Sequence, residues 1–324
     1  MTTPNRKVIP IQGPVSDLNT LFRRVDEMKL PYLRVSLTAD CNAACTFCHN
    51  EGQKIGKRGL LTQKHKTIMP TSRYEEIADM FKGKFPKVLF TGGEPTLAEN
   101  LPEIVHAFSS RGFRTHMTTN GFTLDEDTQI ALKQAGLARI NISLHSLDQA
   151  QYQNVFNVDA DIETTLRHIR ILSRHFNPEA TKFNFFAIEG DNVPSQLVPM
   201  SELSAETGIT VSVVSAAKAN NATDHITKNI VGHLTTVYGA PQTEGFADKF
   251  GTRYLHRFKN GAIWEIDDFR EEEYRKVAFN NDECRSCRKQ EQCVEGPYGL
   301  RVSHTGLAMP CLIRKDNATM LFNR

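Results

Sequence analysis

The chain has 324 residues, 40% of them hydrophobic and 23% charged, and a net charge of +2. That suffices for one large globular domain or a domain with an appendage, and the near-neutral balance speaks against a protein that coats nucleic acid or a membrane surface. No apolar run reaches the length of a membrane span, and the first residues lack the apolar core and cleavage site of a signal peptide, so a cytoplasmic location is expected.

After an N-terminal extension over 1–30, short runs rich in Val, Ile, Phe and Thr alternate with amphipathic stretches. Strands are expected over Leu33–Thr38, Lys87–Thr91, Arg114–Thr118, Arg139–Leu144, Lys182–Ile188 and Ile209–Val214. Between them, Ser72-x-x-Glu75 reads as a capping box opening a helix to Phe81. Helices are also expected over Leu101–Ser110, Asp125–Ala135, Asp161–Phe176 and Ser195–Thr207, three of them stopped by Gly112, Gly136 and Gly208. Such alternation implies an α/β fold: a parallel sheet with right-handed crossovers, whose functional residues gather at the carboxyl ends of the strands. Those ends carry a cysteine loop, Thr91-Gly92-Gly93-Glu94-Pro95, Thr118-Thr119-Asn120-Gly121, and Ser143 with His145. Taken alone, Asn120-Gly121 reads as a turn. Past about residue 216 the alternation stops. Residues 219–250 are polar and mixed, and a hairpin is expected over Tyr254–Glu265, turning at Asn260-Gly261.

The seven cysteines form two groups, at 41–48 and 284–311. An odd count in a reducing compartment argues for metal or redox use rather than a disulfide framework. Cys41-x3-Cys45-x2-Cys48 directly follows the first strand. Three thiolates in one short loop suit an iron–sulfur cube with one iron left open; the alternative is a zinc knuckle completed by His49. The second group, Cys284-x2-Cys287-x5-Cys293-x17-Cys311, reads either as a structural zinc site or as a second cluster, closed if all four cysteines ligate and open if one is spare.

The cysteine triplet followed by Gly92-Gly93-Glu94 resembles the radical S-adenosylmethionine (SAM) superfamily. The stretches LRVSLTADCNAACTFC, FTGGEPTL, TTNG, RINISLHSLD and RVSHTGLAMPCL, spread over roughly residues 33–312, resemble its GTP 3′,8-cyclase branch. The resemblance implies a partial (β/α)6 TIM-like barrel over 31–217 and an auxiliary-cluster extension over 218–324. It implies a 4Fe–4S cluster on Cys41, Cys45 and Cys48 that binds SAM and yields a 5′-deoxyadenosyl radical. Phe47 would lie near the adenine, Gly92, Gly93 and Glu94 at the SAM amino group, and Ser143 near the methionine carboxylate. A second 4Fe–4S cluster would sit on Cys284, Cys287, Cys293 and Cys311, with electrons coming from a flavodoxin- or ferredoxin-type donor. Arg34 and Arg301 match catalytic positions and, with Thr118 and Lys182, substrate-contacting ones.

The match to the nucleotide site is incomplete. Leu89, Gly299 and Ser212 stand where the branch carries basic residues, and its C-terminal glycine pair is missing. A triphosphate needs several fork-like cations, so the expected substrate is a nucleotide, nucleoside or sugar-like small molecule other than GTP, which is rearranged, cyclised or oxidised. No membrane or nucleic-acid polymer is expected as partner. Three readings stand beside this one: a GTP 3′,8-cyclase itself; a ribosomal-peptide-modifying enzyme, since Cys-x2-Cys-x5-Cys also resembles a SPASM domain; and an iron–sulfur or zinc redox sensor or scaffold.

Overall fold

The computed structural model describes residues 17–45, 47–48, 56–59, 64–187, 192–215, 222–248, 251–268, 282–288, 290, 299–312 and 317–322. Cys293, His49 and Ile188 lie outside the described residues.

Six strands form the frame: β1 (Leu33–Ser36), β2 (Lys87–Thr91), β3 (Arg114–Thr119), β4 (Leu137–Ser143), β5 (Thr181–Ala187) and β6 (Thr210–Ser215). Each pairs with the next in parallel. Parallel neighbours need a crossover, and the chain supplies helices. They are α2 (Thr71–Phe81), α3 (Leu101–Ser109), α4 (Glu126–Gln134), α5 (Gln149–Phe156), α6 (Ile162–His175) and α7 (Asn192–Thr207), with α1 (Leu18–Met28) ahead of β1. Aspartates start several of them. Asp125 accepts from Thr128 N–H ahead of α4, and Asp161 accepts from Glu163 and Thr164 N–H ahead of α6, satisfying donors that a helix start leaves orphaned. The Ser72-x-x-Glu75 capping box does not form. Helix α2 begins two residues earlier, with an extended Pro70 in the N-cap position and no side-chain cap.

Val88, Phe90, Met117, Ile140, Ile142, Phe183 and Phe185 are fully buried on the helix side, where Phe90 meets Phe108 of α3 edge-on at 5.3 Å. Because side chains alternate along a strand, Arg34, Leu89, His116, Thr118, Arg139, Asn141, Ser143, Lys182, Asn184 and Ser212 share the opposite, inner face. This is the α/β partial-barrel architecture expected from the sequence.

Described strands beyond 217 join that sheet. Helix α8 (Ala222–Tyr238) and strands β7 (Gln242–Asp248), β8 (Gly251–Arg257) and β9 (Ile263–Asp268) follow, with β8 and β9 forming the expected hairpin. Strand β9 pairs with β6 in parallel. At the other edge β10 (Leu300–Val302) pairs in parallel with β1, and β11 (Leu307–Met309) and β12 (Thr319–Met320) continue antiparallel. The described strands thus make one twelve-stranded sheet, β12-β11-β10-β1-β2-β3-β4-β5-β6-β9-β8-β7. Trp264 of β9 anchors one flank: it is fully buried, packs edge-on against Phe185 and donates to Ser201 Oγ of α7 at 2.9 Å.

Candidate active site

Two neighbouring strands set the cysteine loop. Leu37 N–H donates to Thr91 O, Gly93 N–H to Thr38 O at 2.7 Å and Glu94 N–H to Asp40 O at 2.9 Å. The glycines are needed for this approach. A Cβ on Gly93 would stand 1.8 Å from Asp40 O, and one on Gly92, whose φ is 142°, would stand 2.5 Å from Thr38 O. The tight backbone approach is therefore to the cysteine loop itself. From the far side, Cys41 N–H donates to Lys57 O, Lys57 N–H to Asp40 Oδ1, and Ala44 N–H to Phe156 O.

Cys41 is buried, and Cys45 and Cys48 are half-buried; all three are free thiols. Burial pushes the Cys41 and Cys45 thiols up to about 12, reinforced at Cys41 by the Glu94 carboxylate and at Cys45 by Cys48. Thiolates in that setting require a cationic partner, which an iron–sulfur cluster provides. Among the described residues, no three His, Cys, Asp or Glu side chains converge on one single-ion point. A cube asks for something different, since each thiolate binds its own iron. The donor set fits a cluster.

Glu94 is 2% exposed. Its Oε1 accepts from Thr96 N–H, Thr96 Oγ1 and Thr119 Oγ1, and its Oε2 accepts from Asn120 N–H at 2.9 Å. Burial raises its pKa against the pull of these donors. Among the described residues every donor is neutral and Oε2 takes one hydrogen bond, so the oxygen retains room for a cationic N–H group. Asn120 does more than turn the chain. Its Nδ2 donates to Asn42 Oδ1 at 2.6 Å, tying the end of β3 to the cysteine loop. Asn42 and Thr96 carry no signal of this role in the sequence, whereas Thr119 and Asn120 stand out there as a polar strand end and a turn.

Phe47, 38% exposed, stacks on Phe186 at 4.7 Å and meets His145 edge-on at 5.4 Å. Burial pulls the His145 pKa down to about 4, and its Nδ1 accepts Phe186 N–H, so the ring is neutral with its proton on Nε2. Ser143 ends β4 on the inner face, opposite Asn184 of β5.

Deeper on that face, Arg301, Arg34, Leu89, His116 and Arg139 line up across β10, β1, β2, β3 and β4. Arg301 is 5% exposed. Thr118, Asn141 and Lys182 form the next row. The residues expected to meet substrate, Arg34, Thr118, Lys182 and Arg301, are thereby brought onto one surface. Lys182, however, is already engaged: its Nζ pairs with Glu265 Oε2 of β9, while Ser212 donates to Glu265 Oε1 at 3.1 Å and Arg253 stands 3.6 Å away. Burial opposes the Glu265 carboxylate, yet Lys182, Arg253 and Ser212 hold its pKa below the ordinary value. Lys182 and Glu265 are 83 positions apart, and no local pattern joined them. Gly299 excludes a side chain altogether, since a Cβ there would press to 2.8 Å from Tyr32 O.

Cys284 lies on a helical turn, Asp282–Arg285, and Cys287 N–H donates to Cys284 O at 3.0 Å. Cys311 follows β11. All three are half-buried.

Comparisons with known proteins agree with this arrangement. A model of the radical SAM superfamily matches residues 35–195. A "Probable GTP 3′,8-cyclase" of Thermococcus kodakarensis is 31% identical over 286 residues, covering 88% of this chain and 85% of that one. Among solved structures, Streptococcus suis SuiB bound to S-adenosylmethionine superposes with a TM-score of 0.57 at 14% identity. The match covers 89% of this chain and 63% of SuiB, so the chain spans less than two thirds of that protein's length. Coproporphyrinogen III oxidase (HemN) from Escherichia coli gives a TM-score of 0.51 at 14% identity over 81% of this chain and 77% of that one. The two structures share the fold.

Proposed function

The chain belongs to the radical SAM superfamily and is a radical SAM enzyme, and we propose that its substrate is a small nucleotide, nucleoside or sugar-like molecule held on the inner face of the sheet. In this reading Cys41, Cys45 and Cys48 hold a 4Fe–4S cluster. When bound, cluster and SAM together supply the 5′-deoxyadenosyl radical that takes hydrogen from substrate. The remaining work falls to the chain's own residues. Glu94 Oε2 accepts from the SAM ammonium, and Gly92 and Gly93 hold that carboxylate against the cysteine loop. Ser143 Oγ donates to the methionine carboxylate. Phe47, with one side on Phe186, covers the adenine.

On the substrate side, Arg34 and Arg301 are adjacent in register and orient an anionic or carbonyl group, with the Thr118 hydroxyl one row further along. Lys182 acts through its pair with Glu265, which takes its charge out of reach of a second anion. The relative's printed name supports a nucleotide-like substrate. The neutral Leu89, the blocked Gly299 and the Lys182–Glu265 pair weigh against a triphosphate. In the same reading Cys284, Cys287, Cys293 and Cys311 hold a second 4Fe–4S cluster. Reduction comes from a flavodoxin- or ferredoxin-type donor in the cytoplasm.

The observation that carries this reading is Glu94: a buried carboxylate whose donors among the described residues are all neutral, fixed at a strand end against three clustered thiols. The test is a screen of nucleotides, nucleosides and sugars, GTP included, for substrate-dependent formation of 5′-deoxyadenosine by anaerobically reconstituted protein. A non-GTP member of the set should stimulate cleavage. Stimulation by GTP alone would replace the reading with a GTP cyclase.

A further inference from the structure

The short stretch 56–59 returns beneath the cysteine loop and is stitched to it. Gly56 N–H donates to Ala39 O, Lys57 N–H to Asp40 Oδ1, and Cys41 N–H to Lys57 O, with Cys41 and Arg58 in a parallel bridge. Only glycine permits the approach at 56, where a Cβ would stand 2.3 Å from Asp40 Oδ1 and 2.7 Å from the Ala39 carbonyl. This rooting delivers one cation to the sulfurs. The Arg58 guanidinium is half-buried, and its Nη2 donates to Cys48 Sγ at 3.5 Å. Cys48 stands ten positions earlier in the chain, and among the described residues no carboxylate forms an ion pair with Arg58. Burial opposes the guanidinium charge, and the three cysteines, as thiolates, would favour it.

A guanidinium placed this way has a defined electrostatic consequence. Reducing an iron–sulfur cluster adds one negative charge. A fixed positive charge at hydrogen-bond distance from a ligating sulfur stabilises the reduced form more than the oxidised one, and burial limits screening by salt. Hydrogen bonds to cluster sulfurs and net charge around them are among the levers that set a cluster's potential. We propose that Arg58 is a positioning residue that orients Cys48 and raises the reduction potential of the cluster held by Cys41, Cys45 and Cys48, easing the electron transfer that precedes SAM cleavage. The proposal rests on the reading that these three cysteines hold the cluster. It assigns Arg58 to the cluster rather than to SAM or substrate.

The experiment is a redox titration of the anaerobically reconstituted full chain, followed by electron paramagnetic resonance on the signal that changes when SAM is added. Wild type is compared with Arg58→Met, Arg58→Gln and Arg58→Lys at equal iron content. Arg58→Met should have a lower midpoint: where wild type is half reduced, its reduced-to-oxidised ratio should fall about tenfold, a shift of about 59 mV for a one-electron couple. Arg58→Gln, which keeps a donor without charge, should fall between, and Arg58→Lys should recover most of the loss. An unmoved midpoint in Arg58→Met overturns the proposal, as does weaker SAM binding at an unchanged midpoint, which would assign Arg58 to SAM. If Arg58→Met loses iron while Arg58→Gln and Arg58→Lys load it and titrate as wild type, the residue is structural and the proposal falls. A different failure marks the underlying reading: a wild-type signal that survives Cys41→Ala, Cys45→Ala and Cys48→Ala would sink both.

Discussion

Around the cysteine loop, backbone meets backbone. Gly56, Gly92 and Gly93 let three segments close to hydrogen-bonding distance, and Asn120 and Glu94 are held by groups a few residues away or one or two strands over. Across β5, β6 and β9 the inner wall is made differently. Lys182, Ser212, Arg253 and Glu265 come from four strands and meet through side chains. The first kind of construction tolerates little change in the residues that make it, because a Cβ has nowhere to go. The second can be rewritten by exchanging side chains on an intact sheet. On the proposed function the first region would be the radical-generating end and the second the substrate-facing wall, a division that suits one fold serving several chemistries.

That contrast can be broken, and the largest effect is expected from the wall. Glu265→Gln leaves Lys182 charged and buried without a carboxylate, and should lower stability by about 3–5 kcal/mol in urea melts. Adding Lys182→Met to it should restore most of the loss, because the pair then disappears as a unit; a double variant no better than the single would show that the pair is not coupled. Gly93→Ala forces backbone apart at Asp40 and should cost about 3 kcal/mol. It should also weaken SAM binding far more than Glu265→Gln does, as read by equilibrium dialysis. Equal losses of SAM binding would erase the distinction between the two regions.

A smaller effect probes the wall by pH. His116 is 9% exposed on the inner face, its Nε2 has no hydrogen-bond partner among the described residues, and burial together with Arg139, Lys87, Arg114 and Lys182 pulls its pKa down from 6.5 to about 4. Below pH 6.5 the unfolded chain takes up a proton that the folded one refuses, so stability should fall as pH drops from 6.5 towards 4, by on the order of 2 kcal/mol. His116→Leu should flatten the slope in that window without moving it elsewhere. The smallest expected change is Phe47→Leu, which keeps an apolar cover and should raise the SAM dissociation constant only a few-fold, a loss of about 1 kcal/mol.

Much of this was legible before folding. Strand β2 was bounded correctly at Lys87–Thr91, and the β8–β9 hairpin was placed, because a buried parallel strand and an Asn-Gly turn both write themselves locally. Helix α1 was folded into a featureless extension, although Asp17 as cap and Leu21 and Val25 at helical spacing were present to be read. Strand β7 resisted because it is exposed almost throughout and carries no alternation. Strands β10, β11 and β12 are two or three residues long and become strands only by pairing with distant partners. The site divides likewise. The cysteine triplet and Gly-Gly-Glu were visible as motifs, whereas Glu265 and Arg58 acquire meaning only when topology brings them to Lys182 and Cys48.

The central claim is that Cys41, Cys45 and Cys48 make this chain a SAM-cleaving enzyme, and its most direct test is 5′-deoxyadenosine formed on reduction with dithionite after anaerobic reconstitution. Wild type should carry about eight irons per chain and release 5′-deoxyadenosine with methionine. The Cys41→Ala, Cys45→Ala, Cys48→Ala variant should keep about four irons and release none. Fully loaded wild-type protein that leaves SAM intact, or a triple variant that still cleaves it, would contradict the account.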